Sequence, residues 1–301
     1  MRKFMVLVLV CLVVSHHPLK AQQRYYDQKP VFFELGLTGG VMNSLTDLGG
    51  KAGVGKNFIK DLRWKTARPS YGGYFAATYN DAITGRIELT LGEVVGYDSI
   101  LKSVASSTMG RYERNLSFKS KISEFHLGIE VHPLFFKDRD DEVPPKFSPY
   151  LLGGIGYFSF DPQAQLNGQW YALKPLSLEG QGFKEYPDRK PYELSQVNFL
   201  FGIGLRYEIN QTFRVRAEVV QRVLQTDYLD DVSTGYIDPS LFYSYLPTNQ
   251  AAVAQKLYYR RPELLPSDVI PLDEQRGDPT DNDSYFTIQF KIGMTLGRWF
   301  R

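Results

Sequence analysis

The segment VNFLFGIGLRYE, residues 197–208, changes character at every second position. One face carries Val197, Phe199, Phe201, Ile203, Leu205 and Tyr207, and the other carries Asn198, Leu200, Gly202, Gly204, Arg206 and Glu208. Successive side chains of a strand point to opposite faces, so this alternation predicts a strand whose two faces meet different surroundings. A tilted strand of about 9–11 residues crosses a bilayer, whereas strands of globular proteins most often have about 5–6 residues. The segment is therefore long enough to span a membrane.

The same alternation recurs along the chain, with glycine- and tyrosine-rich variants at Tyr71–Tyr79 and Tyr150–Phe158. The other segments are Phe32–Val41, Ile83–Leu91, Ile122–His132, Phe213–Val219 and Phe286–Leu296. Eight strands suffice for a small membrane barrel, and a barrel must close because an open edge in lipid leaves backbone groups unpaired. We predict an all-β fold, an eight-stranded antiparallel transmembrane β-barrel.

The connections between these segments alternate in length. Residues 43–69, 92–118, 159–196 and 224–284 are long, whereas 80–82, 133–147 and 209–212 are shorter. A barrel whose N- and C-termini are both periplasmic has this order, with long outer loops and short periplasmic turns. A soluble β-sandwich or lipocalin-like barrel is the alternative. Strand length, loop asymmetry and the concentration of charge on one strand face favour the membrane barrel.

Composition and the N-terminal residues fit this location. Lys plus Arg is 35 and Asp plus Glu is 33, a net charge of +2, which does not favour a nucleic-acid partner. The mean hydropathy of −0.29 is too low for a bundle of membrane-spanning helices. Arg2 and Lys3 precede an apolar run that ends at Val14, and Ala21 could precede a cleavage point. We therefore predict a signal peptide over residues 1–21, a barrel domain over 22–301, and insertion into the outer membrane of a Gram-negative bacterium in contact with its lipid.

The polar strand faces carry six acidic and five basic residues. These are Glu34, Arg86, Glu88, Glu124, Glu130, Arg206, Glu208, Arg214, Arg216, Glu218 and Lys291. The interior of an eight-stranded barrel has room for little beyond side chains. Because an unpaired buried charge is costly, we predict a salt-bridge network that fills the lumen and excludes an open pore.

The sequence contains only weak indications of a metal-binding site or a catalytic site. His126 and His132 share a face with Glu124 and Glu130, but six residues of strand separate the two histidines by about 20 Å, so they cannot share an ion. The acidic residues of the last loop lack the spacing of a calcium-binding loop. The chain contains no GxSxG motif. We predict no metal, no cofactor and no enzymatic activity, and a lipid-modifying outer-membrane enzyme is the alternative.

The turn 133–147 is longer than the other two periplasmic turns. It carries a dense mixture of charges, namely Lys137, Asp138, Arg139, Asp140, Asp141 and Glu142. Charge of this density suits electrostatic registration with a partner. We predict that this turn is a docking site for another protein, and a solvated turn is the alternative.

Several short segments carry a family resemblance. They are Glu34-Leu35-Gly36, Arg114-Asn115-Leu116-Ser117-Phe118, Ser148-Pro149-Tyr150, Gly153-Gly154-Ile155-Gly156, Leu178-Glu179-Gly180-Gln181-Gly182 and Asp227-Tyr228-Leu229-Asp230-Asp231-Val232-Ser233-Thr234. Together they resemble the PorG-like outer-membrane β-barrel family, which is associated with the type IX secretion system of gliding and protein-secreting Gram-negative bacteria. The resemblance implies a non-enzymatic role in protein transport, in contact with the periplasmic PorK–PorN ring. A surface adhesion or binding barrel is the further alternative.

Overall fold

The computed structural model describes residues 31–49, 65–102, 108–136, 145–266, 269 and 274–296. The predicted signal peptide and the charged turn residues Lys137–Glu142 lie outside these ranges. The described part contains ten strands, β1 (Val31–Leu45), β2 (Arg68–Tyr79), β3 (Ile83–Tyr97), β4 (Ser117–Val131), β5 (Phe147–Ser159), β6 (Pro162–Leu166), β7 (Gln169–Ala172), β8 (Ser195–Glu208), β9 (Phe213–Val223) and β10 (Ser284–Leu296). It also contains three α-helices, α1 (Met109–Arg114), α2 (Phe242–Tyr245) and α3 (Thr248–Tyr258). None of the helices in these ranges is long and apolar enough to cross a membrane.

Eight of the strands close into an antiparallel barrel. The order around the barrel is β1, β2, β3, β4, β5, β8, β9 and β10, and β10 pairs with β1. The pairing of β3 with β4 completes the circle. The predicted eight-stranded barrel is therefore confirmed, and every predicted strand lies in one of these eight except for His132, one residue beyond the end of β4.

The outside of the barrel is apolar. The side chains that point outward include Leu37 and Phe290, both 69% exposed, and Ile203, which is 61% exposed. Outward-facing apolar residues occur on all eight barrel strands, so they form a continuous belt. Exposure of so large an apolar surface to water would be unfavourable, and a belt of this kind is typical of a barrel surrounded by lipid. A soluble barrel or sandwich would place these side chains inside, so that alternative is wrong.

One end of the barrel, here called the turn end, carries short connections. Asn80 and Asp81 both have positive φ, at 49° and 56°, and the N–H of Ala82 donates to the carbonyl of Tyr79. Two consecutive positive φ values define a tight hairpin turn whose twist matches that of its strands. The Oδ1 atom of Asn210 accepts from the N–H groups of Thr212 and Phe213, which closes the turn between β8 and β9.

The long connections build a folded cap at the other end, the loop end. The cap comprises the described residues of 46–49, 65–67, 98–116, 160–194 and 224–283. The β6–β7 hairpin extends the barrel wall, because Lys119 of β4 pairs with Gln163 of β6. Helix α3 packs its buried residues Ala251, Ala254 and Leu257 into a hydrophobic core within the cap. A second core, which includes Met42 and Phe158 of the barrel with Leu229 of the cap, joins the cap to the barrel.

Candidate functional site: a filled lumen beneath a folded cap

The centre of the lumen is organised around Arg86, which is 2% exposed. Its Nη1 atom lies 2.6 Å from Glu130 and 2.9 Å from Glu218, and its Nε atom lies 3.1 Å from Glu88. Lys291 approaches two of the same carboxylates, with its Nζ atom 2.9 Å from Glu218 and in direct contact with Glu88. Three glutamates thus surround two cations from different strands.

A second group lies beside this centre and involves Arg216. Its Nη1 atom bonds to Glu34 and donates to the hydroxyl of Tyr74 at 2.7 Å, while Nη2 donates to Glu34 at 3.2 Å. Its Nε atom lies 3.7 Å from Glu130, which links this group to the centre. Gly36 makes room for it, because a Cβ atom at this position would lie 2.5 Å from the Tyr74 ring.

Towards the loop end, Glu124 forms a third group. It lies 3.0 Å from Arg222 Nη2 and accepts from Asn198 Nδ2 at 2.8 Å. Arg222 also donates from Nη1 to Thr287 at 2.6 Å. Sequence reasoning missed Arg222 because the consecutive valines Val219 and Val220 end the apolar–polar alternation at Val219, whereas β9 continues to Val223.

At the turn end the predicted residues are paired differently. Arg206 lies 3.1 Å from Asp81, on the β2–β3 turn, and not beside a lumen carboxylate. Arg214 donates to Thr295 at 2.7 Å and lies 4.0 Å from the centroid of the Phe32 ring. Glu208 is only half-buried and lies opposite Arg214 in the β8–β9 register. The other ten predicted lumen residues are all at most 4% exposed.

The two lumen histidines contact different carboxylates. His126 lies 3.5 Å from both Glu88 and Glu124. No group of three or more His, Cys, Asp or Glu residues in the described ranges is arranged to hold a metal ion. The acidic residues of the last loop are also dispersed: Asp283 is buried and accepts from the N–H of Leu229, while Asp278 accepts from Thr280 near the surface.

His132 connects a hydroxyl to a carboxylate. Its Nδ1 atom lies 3.0 Å from Ser148 Oγ, and its Nε2 atom lies 3.3 Å from Glu130. This connectivity is that of a serine nucleophile, its base and an orienting acid. All three residues are at most 1% exposed, so a substrate has no access to Ser148 Oγ in this arrangement. The bonds instead fix the side chains at the turn end of the lumen.

Glu179 is a central hydrogen-bond acceptor in the cap. Its carboxylate accepts from the N–H of Ser233 at 3.0 Å, and from the N–H and hydroxyl of Thr234 at 2.8 Å each. Arg276 supplies the opposite charge at 2.9 Å. Glu179 therefore joins the loop between β5 and β8 to both ends of the loop between β9 and β10.

Arg114 joins the remaining loops. It forms a two-pronged contact with Asp98 at 2.8 and 3.0 Å, and it donates to the backbone carbonyl groups of Asp47 and Arg276. Arg114, Glu179 and Ser233 belong to separate sequence segments of the family resemblance. The structure brings these segments together in the cap, a convergence that sequence reasoning did not predict, although all three lie in predicted outer loops.

A group of aspartates lies beneath these contacts. Asp230 is fully buried and accepts from the N–H groups of Leu48 and Val232, each at 3.0 Å. Burial, reinforced by the charge of Asp47, raises the pKa of Asp230 to about 8. Burial likewise raises the pKa of Asp227 to about 9 and that of Asp231 to about 7. Asp227 and Asp230 therefore hold protons near neutral pH, whereas Asp231 is partly ionised there.

Comparison with known proteins gives distant likenesses. A family model described as a domain of unknown function, DUF6089, matches residues 80–178, which run from the β2–β3 turn through β7 and cover less than half of the chain. No curated protein matches the sequence.

Solved structures with a similar course of chain include several outer-membrane proteins. Neisserial surface protein A is 8% identical, with 87% of this chain and 96% of that chain covered and a TM-score of 0.39. Ail of Yersinia pestis is 8% identical, with 88% and 97% covered and a TM-score of 0.35. The outer membrane protein W of E. coli is 13% identical, with 89% and 100% covered and a TM-score of 0.34. Because these identities and TM-scores are low, the assignment of the fold rests on the strand pairing observed within this chain.

Proposed function

We propose that this chain is a non-conducting outer-membrane component of the type IX secretion system that contacts the periplasmic PorK–PorN ring. We infer that the barrel does not conduct because Arg86 and Lys291 lie among three glutamates and fill the centre of the lumen. A barrel filled in this way offers its surfaces, and not its interior, to other molecules.

The sequence resemblance supports the secretion role. The segments that carry it include Arg114, Glu179 and Ser233, which form the contacts that hold the cap together. In this role the turn end faces the periplasm, together with both termini, and the cap faces outward. The turn between β4 and β5 would then lie towards the ring, flanked by Phe136 and Phe147, which are 58% and 49% exposed.

Site-specific photocrosslinking in intact cells tests this role. A photoreactive residue at Arg139 in the charged turn should capture ring subunits, whereas one at the exposed Tyr243 of the cap should not. Replacing Phe136–Lys146 by a tight Asn-Gly turn should leave an inserted barrel and reduce both ring capture and protein export. Unchanged export by a well-inserted shortened barrel would remove this turn from the mechanism.

A surface-binding function is the second candidate, and the folded cap favours it. Tyr243 is 49% exposed on a cap that has its own hydrophobic core. A folded surface with an exposed aromatic side chain suits recognition of another molecule. Capture of an extracellular protein at Tyr243, with no ring subunit at Arg139, would favour this function over the secretion role.

A further inference from the structure

The outward face of β4 changes from apolar to basic towards the loop end. Because side chains alternate along a strand, Ile129, Leu127, Phe125, Ser123, Lys121 and Lys119 all point outward in succession. Phe125, Leu127 and Ile129 are 50–59% exposed and belong to the apolar belt. The two lysines follow directly beyond Ser123 on the same stripe.

The neighbouring strands also change from apolar to polar towards the loop end, β5 at the level of Ser123 and β3 at the level of Lys121. Phe125 pairs with Leu89 of β3 and Tyr157 of β5, which are both exposed and apolar or aromatic. The next outward position towards the cap places Ser123 between Ser159 of β5 and the half-buried Leu91 of β3, so the apolar stripe of β3 extends one outward residue further. Lys121 lies one outward position further, about 14 Å along the strand from Phe125. Its ammonium group therefore lies beyond Phe125, the last outward-facing apolar residue of β4 towards the loop end.

Trp170 of the β6–β7 hairpin completes this surface. Lys119 Nζ lies 3.7 Å from the centroid of the Trp170 ring, and the ring is 38% exposed. Tryptophan is enriched where a membrane meets water, because its ring is apolar and its N–H is a donor. The hairpin is anchored to β4 by the pairing of Lys119 with Gln163.

We propose that Lys119, Lys121 and Trp170 bind the phosphate groups of lipids in the leaflet next to the cap. This leaflet is the outer one in the orientation proposed above. Two acidic residues lie nearby: Glu93 pairs with Lys121 across β3 and β4, and Asp161 accepts from Gln163. Among the described residues, Lys121 and Glu93 form no ion pair with each other. The continuity of the lysines with the apolar belt favours a lipid over a soluble anion.

Titration of the detergent-solubilised full chain with diphosphoryl lipid A, followed by native mass spectrometry, tests this proposal. Each lysine near an anionic membrane surface contributes a factor of about five in affinity, so Lys119→Ser with Lys121→Ser should weaken binding roughly 25-fold. The matched control is Lys184→Ser with Lys190→Ser, which removes two exposed lysines of the cap and should leave binding unchanged. The charge-preserving pair Lys119→Arg with Lys121→Arg should also bind like the unmodified chain.

Chemically dephosphorylated lipid A separates phosphate recognition from acyl-chain packing. It should bind the unmodified chain and the double serine variant equally weakly. Equal affinity of the unmodified chain for both lipids, or full affinity of the double serine variant for the phosphorylated lipid, would overturn the proposal. An unboiled folded barrel migrates faster on a gel than the boiled chain, and retention of this difference shows that each variant is folded.

Discussion

Arg276 donates to Glu179 over 2.9 Å at a place where neither side chain is more than 2% exposed. The two residues come from different loops, and Glu179 also accepts from Ser233 and Thr234. Removal of one side chain from a buried ion pair is costly, because the remaining charge stays buried without a partner. The cap is therefore expected to hold together as one unit or to open as one.

Glu179→Ala should open the cap and leave the barrel intact. Loss of one member of a buried pair costs about 3–5 kcal/mol. Limited proteolysis should then cut within residues 224–283. The barrel should remain folded, as shown by a difference in gel migration between boiled and unboiled samples. Glu185→Ala is the matched control, since Glu185 is exposed and bonds only to the Tyr245 hydroxyl among its described contacts. Equal protease resistance of both variants would show that Glu179 does not hold the cap.

Lys291 and Phe290 are adjacent in sequence and point to opposite sides of the barrel wall. Lys291→Leu should destabilise the barrel by about 3–5 kcal/mol, because Glu88 and Glu218 lose a buried partner. Phe290→Arg should cost about 2–4 kcal/mol by placing a charge in lipid, whereas Phe290→Leu should cost little. Urea unfolding in lipid vesicles measures all three. A Lys291→Leu barrel as stable as Phe290→Leu would contradict the lumen assignment.

Gly36 and Gly39 provide a matched pair on strand β1. A Cβ atom at Gly36 would lie 2.5 Å from the Tyr74 ring and 2.6 Å from the carbonyl oxygen of Ile292, whereas one at Gly39 would meet nothing within 4 Å. Gly36→Ala should therefore displace Tyr74 from Arg216 and cost about 1–3 kcal/mol, as overpacking usually does. Gly39→Ala should leave the urea midpoint almost unchanged. A reversed order of the two midpoints would show that Tyr74 is not packed against Gly36.

The barrel could be predicted because its periodicity is a local property of the sequence. Alternation at Val197–Glu208 follows directly from one face in lipid and one in the lumen, and it fixes which side chains point inward. Arg222 escaped this reasoning because Val220, although apolar, points inward beside Leu200. A strand end in a barrel is set by pairing with its neighbours, here Val223 with Phe199 and Ser284, and a single strand does not carry this information.

The cap could not be predicted, because its contacts join residues far apart in the chain. Glu179 and Arg276 lie 97 positions apart, and Arg114 reaches a carbonyl group 162 positions away. Their local sequences contain no periodic pattern that would pair them. The acidic segment Asp227–Thr234 is typical of a solvated loop, yet Asp230 and Asp231 are fully buried. Backbone N–H groups donate to both oxygens of Asp230, and the Tyr192 hydroxyl donates to Oδ1 of Asp231.

The aspartates of the cap should make its stability depend on pH. In the folded cap the pKa of Asp227 is raised to about 9 and that of Asp230 to about 8, mainly by burial. An unfolded aspartate has a pKa of about 3.9, so the closed cap binds more protons than the open one between these values. Its stability therefore falls as pH rises from about 4 towards 9. The Arg114 charge and the Ser233 hydrogen bond act in the opposite direction but do not reverse the shifts.

Hydrogen exchange of the cap at pH 5.5 and pH 8.5, corrected for the intrinsic exchange rates, measures this dependence. Protection of the buried N–H groups of Leu48 and Leu229, which bond to Asp230 and Asp283, should be weaker at the higher pH. Asp227→Asn should reduce the difference, because the Oδ2 atom of Asp227 has no hydrogen-bond partner in the described part of the chain and the amide carries no charge to repel Asp230. Asp188→Asn, in an exposed part of the same cap, should leave the pH dependence unchanged. Equal protection at both pH values in the unmodified chain would mean that these carboxyl groups ionise without loosening the cap.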